Sequence, residues 1–340
     1  MNRPILSGAL ILLTLLMVAC SKPQLPEAKP LTASDGQLAQ IPNISQGEYQ
    51  VISNRDVRLI DPVRERELEI SVFYPDRDGH FPLLYFSHGN WSNKDKYDAV
   101  INYWVSHGYV VIAPNHLDCC SMASGIFNSL RYGNFGLIEN RVSDFNFLIN
   151  HYAELEQALP ALLGKADIKN IALVGHSFGA FTAQQFGGAG TYNTDDEQYH
   201  YYQDDRIKAI VAISPPGPMF DEITAQSWQQ LSTPTFVSTG TWDVDSNFFP
   251  QYELHLMSYE TALPNDKYAL VIEGADHYLG NLICRPERDE APQSDALMML
   301  NASSTTFLHA YLKGDDKARD FLQSQQLNQL SADFARLSYK

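Results

Sequence analysis

The stretch that decides the fold is Ile171-Ala172-Leu173-Val174-Gly175-His176-Ser177-Phe178-Gly179-Ala180-Phe181. An apolar run reaches Gly-His-Ser-Phe-Gly, and a segment suited to a helix follows at once. Turning from strand to helix within so few residues forces the serine into a strained backbone conformation, and the flanking glycines leave room for the turn. G-x-S-x-G alone matches often by chance, so the strand and helix context carries the prediction. The stretch predicts a serine nucleophile with a helix N-terminus directed at the position of an oxyanion.

Composition places this serine in one large domain. The chain has 340 residues, of which 44% are hydrophobic and 19% are charged, which suits a full core better than two small domains. The formal net charge of −16 argues against a nucleic-acid partner, whose phosphates require a basic face. We interpret the acidity as a solvated surface.

Apolar runs and helical spacing alternate from Glu48 onward. Strands are predicted at 49–52, 67–74, 83–86, 109–113, 171–175, 207–213, 235–239 and 268–272, and helices at 95–105, 140–163, 295–312 and 321–337. The first two strands are expected to be antiparallel. The alternation predicts an α/β fold with a mostly parallel sheet, helices on both faces and a ligand site beyond the carboxyl ends of the strands.

Three long connections interrupt the alternation, at 114–134, 191–205 and 215–232. Loops of this length in a compact domain are usually functional or disordered. The first and third leave the carboxyl ends of strands, so we expect them to wall the pocket. The second is rich in tyrosine and acid, and a solvated excursion is an equal alternative.

The nucleophile requires a histidine to take its proton and a carboxylate to hold that histidine. Asp243 ends Gly240-Thr241-Trp242-Asp243 after one predicted strand, and His277 follows the next. The chain order serine, acid, histidine is that of one fold family. Asp245 is an alternative acid, although the Gly-x-x-Asp turn favours Asp243. Asp276 is expected to be exposed or to make local hydrogen bonds.

From about Glu48 the chain resembles the α/β-hydrolases. Counterparts in that family exist for Gly175-His176-Ser177-Phe178-Gly179, Gly240-Thr241-Trp242-Asp243, Asp276-His277 and Phe86-Ser87-His88-Gly89-Asn90. The resemblance implies that the backbone N–H groups of Asn90 and Phe178 form the oxyanion hole and that no cofactor is needed. Arg64-x-Arg66, Val72-Phe73-Tyr74-Pro75 and Ser87-His88-Gly89 resemble platelet-activating-factor acetylhydrolases, polyester hydrolases and dienelactone-hydrolase-like proteins. True dienelactone hydrolases use cysteine, where this chain has Ser177.

Aromatic residues in the loops favour an apolar or aryl ester as the substrate. Trp91, His116 and Trp242 are the candidate substrate-binding residues, and the other candidate pocket aromatics are Phe127, Phe178 and Phe220. A packing role for His116 stays open. His88 and His176 are expected to brace their turns, and no histidine cluster predicts a metal site.

The N-terminus has the pattern of a targeting segment. Met1-Asn2-Arg3 precedes an apolar run over 5–18 that ends at Ala19-Cys20-Ser21. This pattern resembles the lipobox of bacterial lipoproteins, which implies lipidation of Cys20, anchoring to a membrane and sorting to the outer membrane of the cell envelope. We therefore divide the chain into a signal peptide at 1–19, a flexible tether at 20–46 and a catalytic domain at 47–340.

Three cysteines remain beside Cys20. In an oxidising compartment a disulfide is expected, and because adjacent cysteines bridge each other only with strain, Cys284 is predicted to pair with Cys119 or Cys120. Three free thiols are the alternative.

Together these features predict a serine hydrolase that cleaves a small-molecule or lipid carboxylic ester through an acyl-enzyme. A peptidase, amidase or acyltransferase with the same triad is an alternative, and so is a non-catalytic binding lipoprotein of the envelope.

Overall fold

The computed structural model describes residues 25–246 and 248–340. The predicted signal peptide and Cys20 lie outside the described residues. A nine-stranded sheet has the strand order β1-β2-β4-β3-β5-β8-β9-β10-β11. Its strands are β1 (Val51–Asp61), β2 (Arg66–Pro75), β3 (Phe81–Ser87), β4 (Val110–Pro114), β5 (Ala166–His176), β8 (Ile207–Ile213), β9 (Thr235–Gly240), β10 (Lys267–Ile272) and β11 (Ala335–Tyr339). All neighbours from β4 to β10 are parallel, whereas β1, β2 and β11 pair antiparallel at the two edges.

Helices connect these strands. They are α1 (Asp35–Leu38), α2 (Asp98–Ser106), α3 (Met122–Asn150), α4 (Tyr152–Ala158), α5 (Phe178–Gln185), α6 (Met257–Thr261), α7 (Ser294–Leu312), α8 (Asp316–Leu322) and α9 (Gln326–Leu330). Two short 3₁₀ turns lie at Pro160–Leu162 and Tyr252–Leu256. No helix within residues 25–246 or 248–340 is long and apolar enough to span a bilayer.

The central strands are apolar on both faces because helices cover both. In β3, Leu84 and Phe86 pack into a core with α2 and α7, while Leu83 and Tyr85 pack into a second core with α3 and α4. Successive side chains of a strand point to opposite faces, so one short strand supplies both cores. This architecture confirms the predicted α/β-hydrolase fold.

Two predicted segments differ in the structure. The helix expected over 140–163 begins at Met122, inside the predicted loop, and is interrupted at Gly133, whose φ is 68°. The helix expected over 321–337 ends early, and Ala335–Tyr339 instead forms the edge strand β11. Ala335 and Leu337 are buried with Arg336 between them, an alternation that suits a strand against β10. The tyrosine-rich stretch forms a hairpin of β6 (Gly190–Asn193) and β7 (Gln198–Tyr201).

The prediction of a flexible tether is wrong for residues 25–46, which pack on the domain. Ile41 is buried in the core that contains α2 and α7. The Tyr103 hydroxyl donates to the carbonyl oxygen of Asn43, and the amide of Asn43 donates to Thr306 at 3.0 Å. The indole N–H of Trp242 donates to the carbonyl oxygen of Pro26 at 2.8 Å. The predicted tether at 20–46 contains four prolines, but its apolar side chains Leu31, Leu38, Ile41 and Ile44 pack on the domain.

The predicted disulfide of Cys284 is also wrong. Cys119 and Cys120 are bonded to each other, and Cys284 is a free, buried cysteine. The Cys284 thiol lies in the interior beside Tyr97 and Ser92, whereas Cys120 is exposed on the loop after β4. Burial raises the pKa of the Cys284 thiol.

Candidate active site

Ser177 lies at the turn between β5 and α5, with φ 55° and ψ −126°. An L-residue adopts this backbone conformation only under strain, as predicted for a nucleophile elbow. A Cβ on Gly175 would lie 2.3 Å from the carbonyl oxygen of Gly179, and a Cβ on Gly179 would lie 2.1 Å from that of Ser87. Both positions therefore require glycine because backbones meet there. The N–H of Ser177 donates to the carbonyl oxygen of Ile213 at 2.8 Å, which ties the elbow to β8.

Asn90 and Phe178 border the same cavity as Ser177. Asn90 follows β3, and Phe178 is the first residue of α5, so its N–H has no acceptor within the helix. Among residues 25–246 and 248–340, neither backbone N–H donates a hydrogen bond. Neither N–H is therefore occupied by another acceptor among these residues.

Asp243 holds His277. The Nδ1–H of His277 donates to Asp243 Oδ1 at 2.8 Å, and the Thr239 hydroxyl donates to Oδ2 at 2.9 Å. Asp245, the alternative acid, instead accepts from the N–H of Phe248 in the next turn. Because the carboxyl ends of β9 and β10 are adjacent, residues far apart in sequence meet at this edge of the sheet.

His255 is a second histidine on Asp243 that the sequence did not reveal. Its Nε2 lies 3.0 Å from Asp243 Oδ1, and its Nδ1 donates to the carbonyl oxygen of Pro215 at 2.7 Å. The Nε2 contact has the distance of an ion pair, although its direction is poor for a hydrogen bond. The ring is fully buried and packs against Phe249, at 4.4 Å between centroids. His255 lies on a 3₁₀ turn after β9, where no motif marks it.

The partners of His255 determine its protonation. A backbone carbonyl accepts from the Nδ1–H, and the carboxylate charge 3.0 Å from Nε2 favours the protonated, positively charged ring over the neutral one. Burial alone would lower the pKa of His255, but the charge of Asp243 and the hydrogen bonds raise it above its ordinary value. Burial would likewise raise the pKa of Asp243, yet the charges of His255 and His277 hold it well below its usual range.

Asp243, His255 and His277 also form a group whose possible metal-ligand atoms all lie within 4.8 Å of one another. A tetrahedral ion with bonds of about 2.0 to 2.1 Å would separate its ligand atoms by about 3.3 Å. The carboxylate oxygen lies only 2.8 and 3.0 Å from the two nitrogens, which are distances of hydrogen bonds and ion pairs. These distances favour a proton network over a metal centre.

A chain of hydrogen bonds connects the oxyanion loop to His277. The N–H of Gly89 donates to the Tyr97 hydroxyl at 2.8 Å, which donates to His176 Nδ1 at 3.2 Å. His176 Nε2–H then donates to the carbonyl oxygen of His277 at 2.8 Å. This pattern requires a neutral His176, and burial together with the nearby His277 lowers the pKa of His176 to about 3. The prediction that His176 braces its turn is confirmed.

Arg141 supports the oxyanion region from behind. Its guanidinium donates to both carboxylate oxygens of Asp118, at 2.9 and 2.6 Å, and to the carbonyl oxygen of His88 at 2.7 Å. It also stacks 4.7 Å from the centre of the Phe178 ring. Burial would raise the pKa of Asp118, but the charge of Arg141 lowers it. Sequence reasoning missed this pair because each residue looks ordinary for its segment.

His116 does not line the cavity, so the prediction that it binds substrate is wrong. It is buried, with Nδ1–H donating to Asp144 at 2.9 Å and Nε2 accepting from the Ser87 hydroxyl at 2.9 Å. Arg64 and Arg66 bind the same Asp144 at 2.8 and 3.0 Å. The alternative, a structural role for His116, therefore agrees with the structure. Arg64 and Arg66 of the Arg-x-Arg pattern have the same role, because all three side chains bind Asp144.

The cavity in front of Ser177 has a volume of about 1190 Å³. Trp91, Phe178, Phe220 and Trp242 line it as predicted, whereas Phe127 is 62% exposed on α3 and lies outside the lining. Other apolar lining residues include Leu25, Met122, Ile126, Leu130, Met219, Phe248 and Phe249. Asp276, as expected, makes local hydrogen bonds, accepting from the N–H groups of Tyr278 and Gly280.

Comparisons with known proteins match the first half of this domain. The chlorophyllase family matches residues 42–189. Chlorophyllase type 0 from Chenopodium album is 32% identical over 75 residues, which are 20% of this chain and 20% of that protein. The alignment thus spans about a fifth of the length of this relative. The family match covers Asn90 and Ser177 but ends before Asp243 and His277.

Proposed function

We propose that this chain is a serine hydrolase that cleaves carboxylic esters through an acyl-enzyme intermediate. The observation that carries the proposal is the 2.8 Å contact between His277 Nδ1 and Asp243 Oδ1, in the cavity that also contains the strained Ser177. The chlorophyllase similarity supports an ester as the substrate. The apolar lining supports an apolar acyl or alkyl group.

In the proposed reaction, Ser177 Oγ attacks the ester carbonyl carbon while His277 Nε2 takes the hydroxyl proton. The N–H groups of Asn90 and Phe178 stabilise the oxyanion, and Asp243 stabilises the imidazolium. Collapse of the tetrahedral intermediate expels the alcohol, which receives the proton from His277. Water then attacks the acyl-enzyme through the same groups, releasing the carboxylic acid and restoring Ser177.

Hydrolysis of aryl esters from acetyl to long acyl by the full chain in detergent tests this proposal. Ser177→Ala should lower kcat at least about a thousandfold, because the nucleophile is lost while binding remains. Ser338→Ala, a change at an exposed serine on β11, should leave activity unchanged. If neither the parent nor Ser338→Ala cleaves any ester, and an active-site phosphonate does not label Ser177, the proposal is wrong.

We also propose that the chain is anchored in the outer membrane of a bacterial envelope by lipid on Cys20. The sequence 16–21 and its preceding apolar run support this anchor. Metabolic labelling with a fatty acid should mark the parent and fail to mark Cys20→Ser. Equal labelling of both proteins would contradict the proposed site.

A further inference from the structure

An apolar surface surrounds the mouth of the cavity. It is formed by the first part of α3, Met122 to Tyr132, together with Leu25 and Phe248; we call it the rim. On α3, Met122, Ile126, Phe127 and Leu130 are 55%, 46%, 62% and 84% exposed, and Leu25 and Phe248 are 45% and 48% exposed. So many large apolar side chains exposed together mark an interaction surface rather than a normal protein exterior.

The helical part of the rim is held to the domain by its opposite side. A Cβ on Gly125 would meet the Trp91 ring, so the helix backbone lies directly on this indole. The Asn128 amide donates to the carbonyl oxygen of Leu117 at 2.9 Å. These contacts leave the apolar residues facing the opening and the solvent.

Charge identifies the partner. The whole chain has a net charge of −16, yet Arg131 is the one charged residue between Ser121 and Tyr132. Its guanidinium stacks 5.0 Å from the Tyr132 ring at the end of this segment. Large apolar side chains on one face, with an arginine and a tyrosine at the edge and no acidic residue, are typical of a helix that lies at a lipid–water interface.

The position of Leu25 favours a lipid surface over a protein partner. Leu25 lies at the rim, five residues after Cys20, and five extended residues reach at most about 18 Å. Lipid on Cys20 would therefore hold the rim close to the bilayer. A protein that covered the rim would close the cavity, whereas a bilayer can supply an apolar ester through it.

We propose that the rim inserts into the surface of a phospholipid bilayer and admits ester substrates from it into the cavity. This inference rests on the proposed ester hydrolase and on its lipid anchor. It adds a specific orientation: the mouth of the active site faces the membrane that carries the enzyme.

The test uses the full chain reconstituted in phosphatidylcholine vesicles. A polarity-sensitive fluorophore is attached at Phe127→Cys or, as the matched control, at Val63→Cys, which replaces a side chain that is 89% exposed on the β1–β2 turn. The parent protein, treated with the same reagent, corrects for any label on the buried Cys284. The emission maximum of the label at 127 should shift to shorter wavelength, and iodide should quench it little. Iodide should still quench the label at 63. Equal quenching at both positions overturns the proposal. Shielding of 127 that increases with the number of protein copies per vesicle also overturns it, because it would indicate a second copy of the chain.

A kinetic test separates this inference from the proposed function. Phe127→Gln with Tyr132→Gln should lower hydrolysis of a long-acyl ester held in the vesicles about tenfold and leave a soluble acetyl ester unaffected. The control, Val63→Gln with Leu163→Gln, should change neither rate. Equal effects on both esters, or no effect, contradict the role of the rim. Absence of activity on both esters, together with no phosphonate labelling of Ser177, refutes the proposed function, while the fluorescence result still decides the orientation.

Discussion

Replacing His255 with glutamine tests whether a second imidazolium controls the triad. The His255 and His277 rings are 5.7 Å apart, between centroids, and both contact Asp243 Oδ1. A positive charge on His255 opposes protonation of His277. Removing this charge should therefore favour the protonated form of His277. The acid limb of the kcat/KM profile should then move to higher pH.

The separation of the rings sets the magnitude. Two unit charges 5.7 Å apart interact by about 3 kcal/mol at an effective dielectric constant of about 20, and by about 0.7 kcal/mol in bulk water. These two energies correspond to displacements of the acid limb by about 2 and about 0.5 pH units. Because His277 is partly exposed and His255 is buried, we expect a shift of about one unit, between the two limits.

The assay is kcat/KM for a soluble aryl ester as a function of pH, for the parent, His255→Gln and Thr239→Val. Thr239→Val is the matched control, because it removes a neutral donor to Asp243 without changing charge. It should lower activity while leaving the acid limb in place. An unmoved acid limb in a folded His255→Gln protein would refute the charged state of His255.

Stability gives an independent readout of the same charge. The pKa of His255 is raised in the folded state, so its stabilisation is fully present below the unfolded value of about 6.5 and fades as pH rises through the folded pKa. His255→Gln should therefore lower Tm more at acidic than at alkaline pH. A larger loss at alkaline pH would contradict the sign of this argument.

Three further changes probe the support of the site. Arg141→Met should lower the free energy of unfolding by about 3 to 5 kcal/mol, because it leaves Asp118 buried and unpaired. The control Arg58→Met, in an exposed ion pair, should lower it by at most about 1 kcal/mol. Denaturant titration measures both. Gly179→Ala should abolish ester hydrolysis because its Cβ would collide with backbone, while Gly36→Ala, with open space around its Cβ, should leave activity intact. Thiol titration of denatured protein should find one thiol from residues 25–340 before reduction and three after it; three before reduction would contradict the Cys119–Cys120 bond.

Local sequence was sufficient for the parts of the fold that depend on neighbouring residues. The apolar runs predicted the parallel strands, and Gly-His-Ser-Phe-Gly predicted the strained turn at Ser177, because strand pattern and turn chemistry act over a few residues. The same reasoning failed for 321–337, where pairing with β10 overrides helical spacing. It also failed for Met122 to Tyr132, which forms a helix with large exposed apolar side chains.

The sequence by itself determined the fold class and the candidate nucleophile, acid and histidine, since each lies in a recognisable turn at the end of a strand. Only the tertiary structure revealed His255 on Asp243, Arg141 behind Phe178 and the burial of His116. The physical reason is that these residues act through contacts between segments distant along the chain, and their partners become neighbours only when the sheet brings its strand ends to one edge.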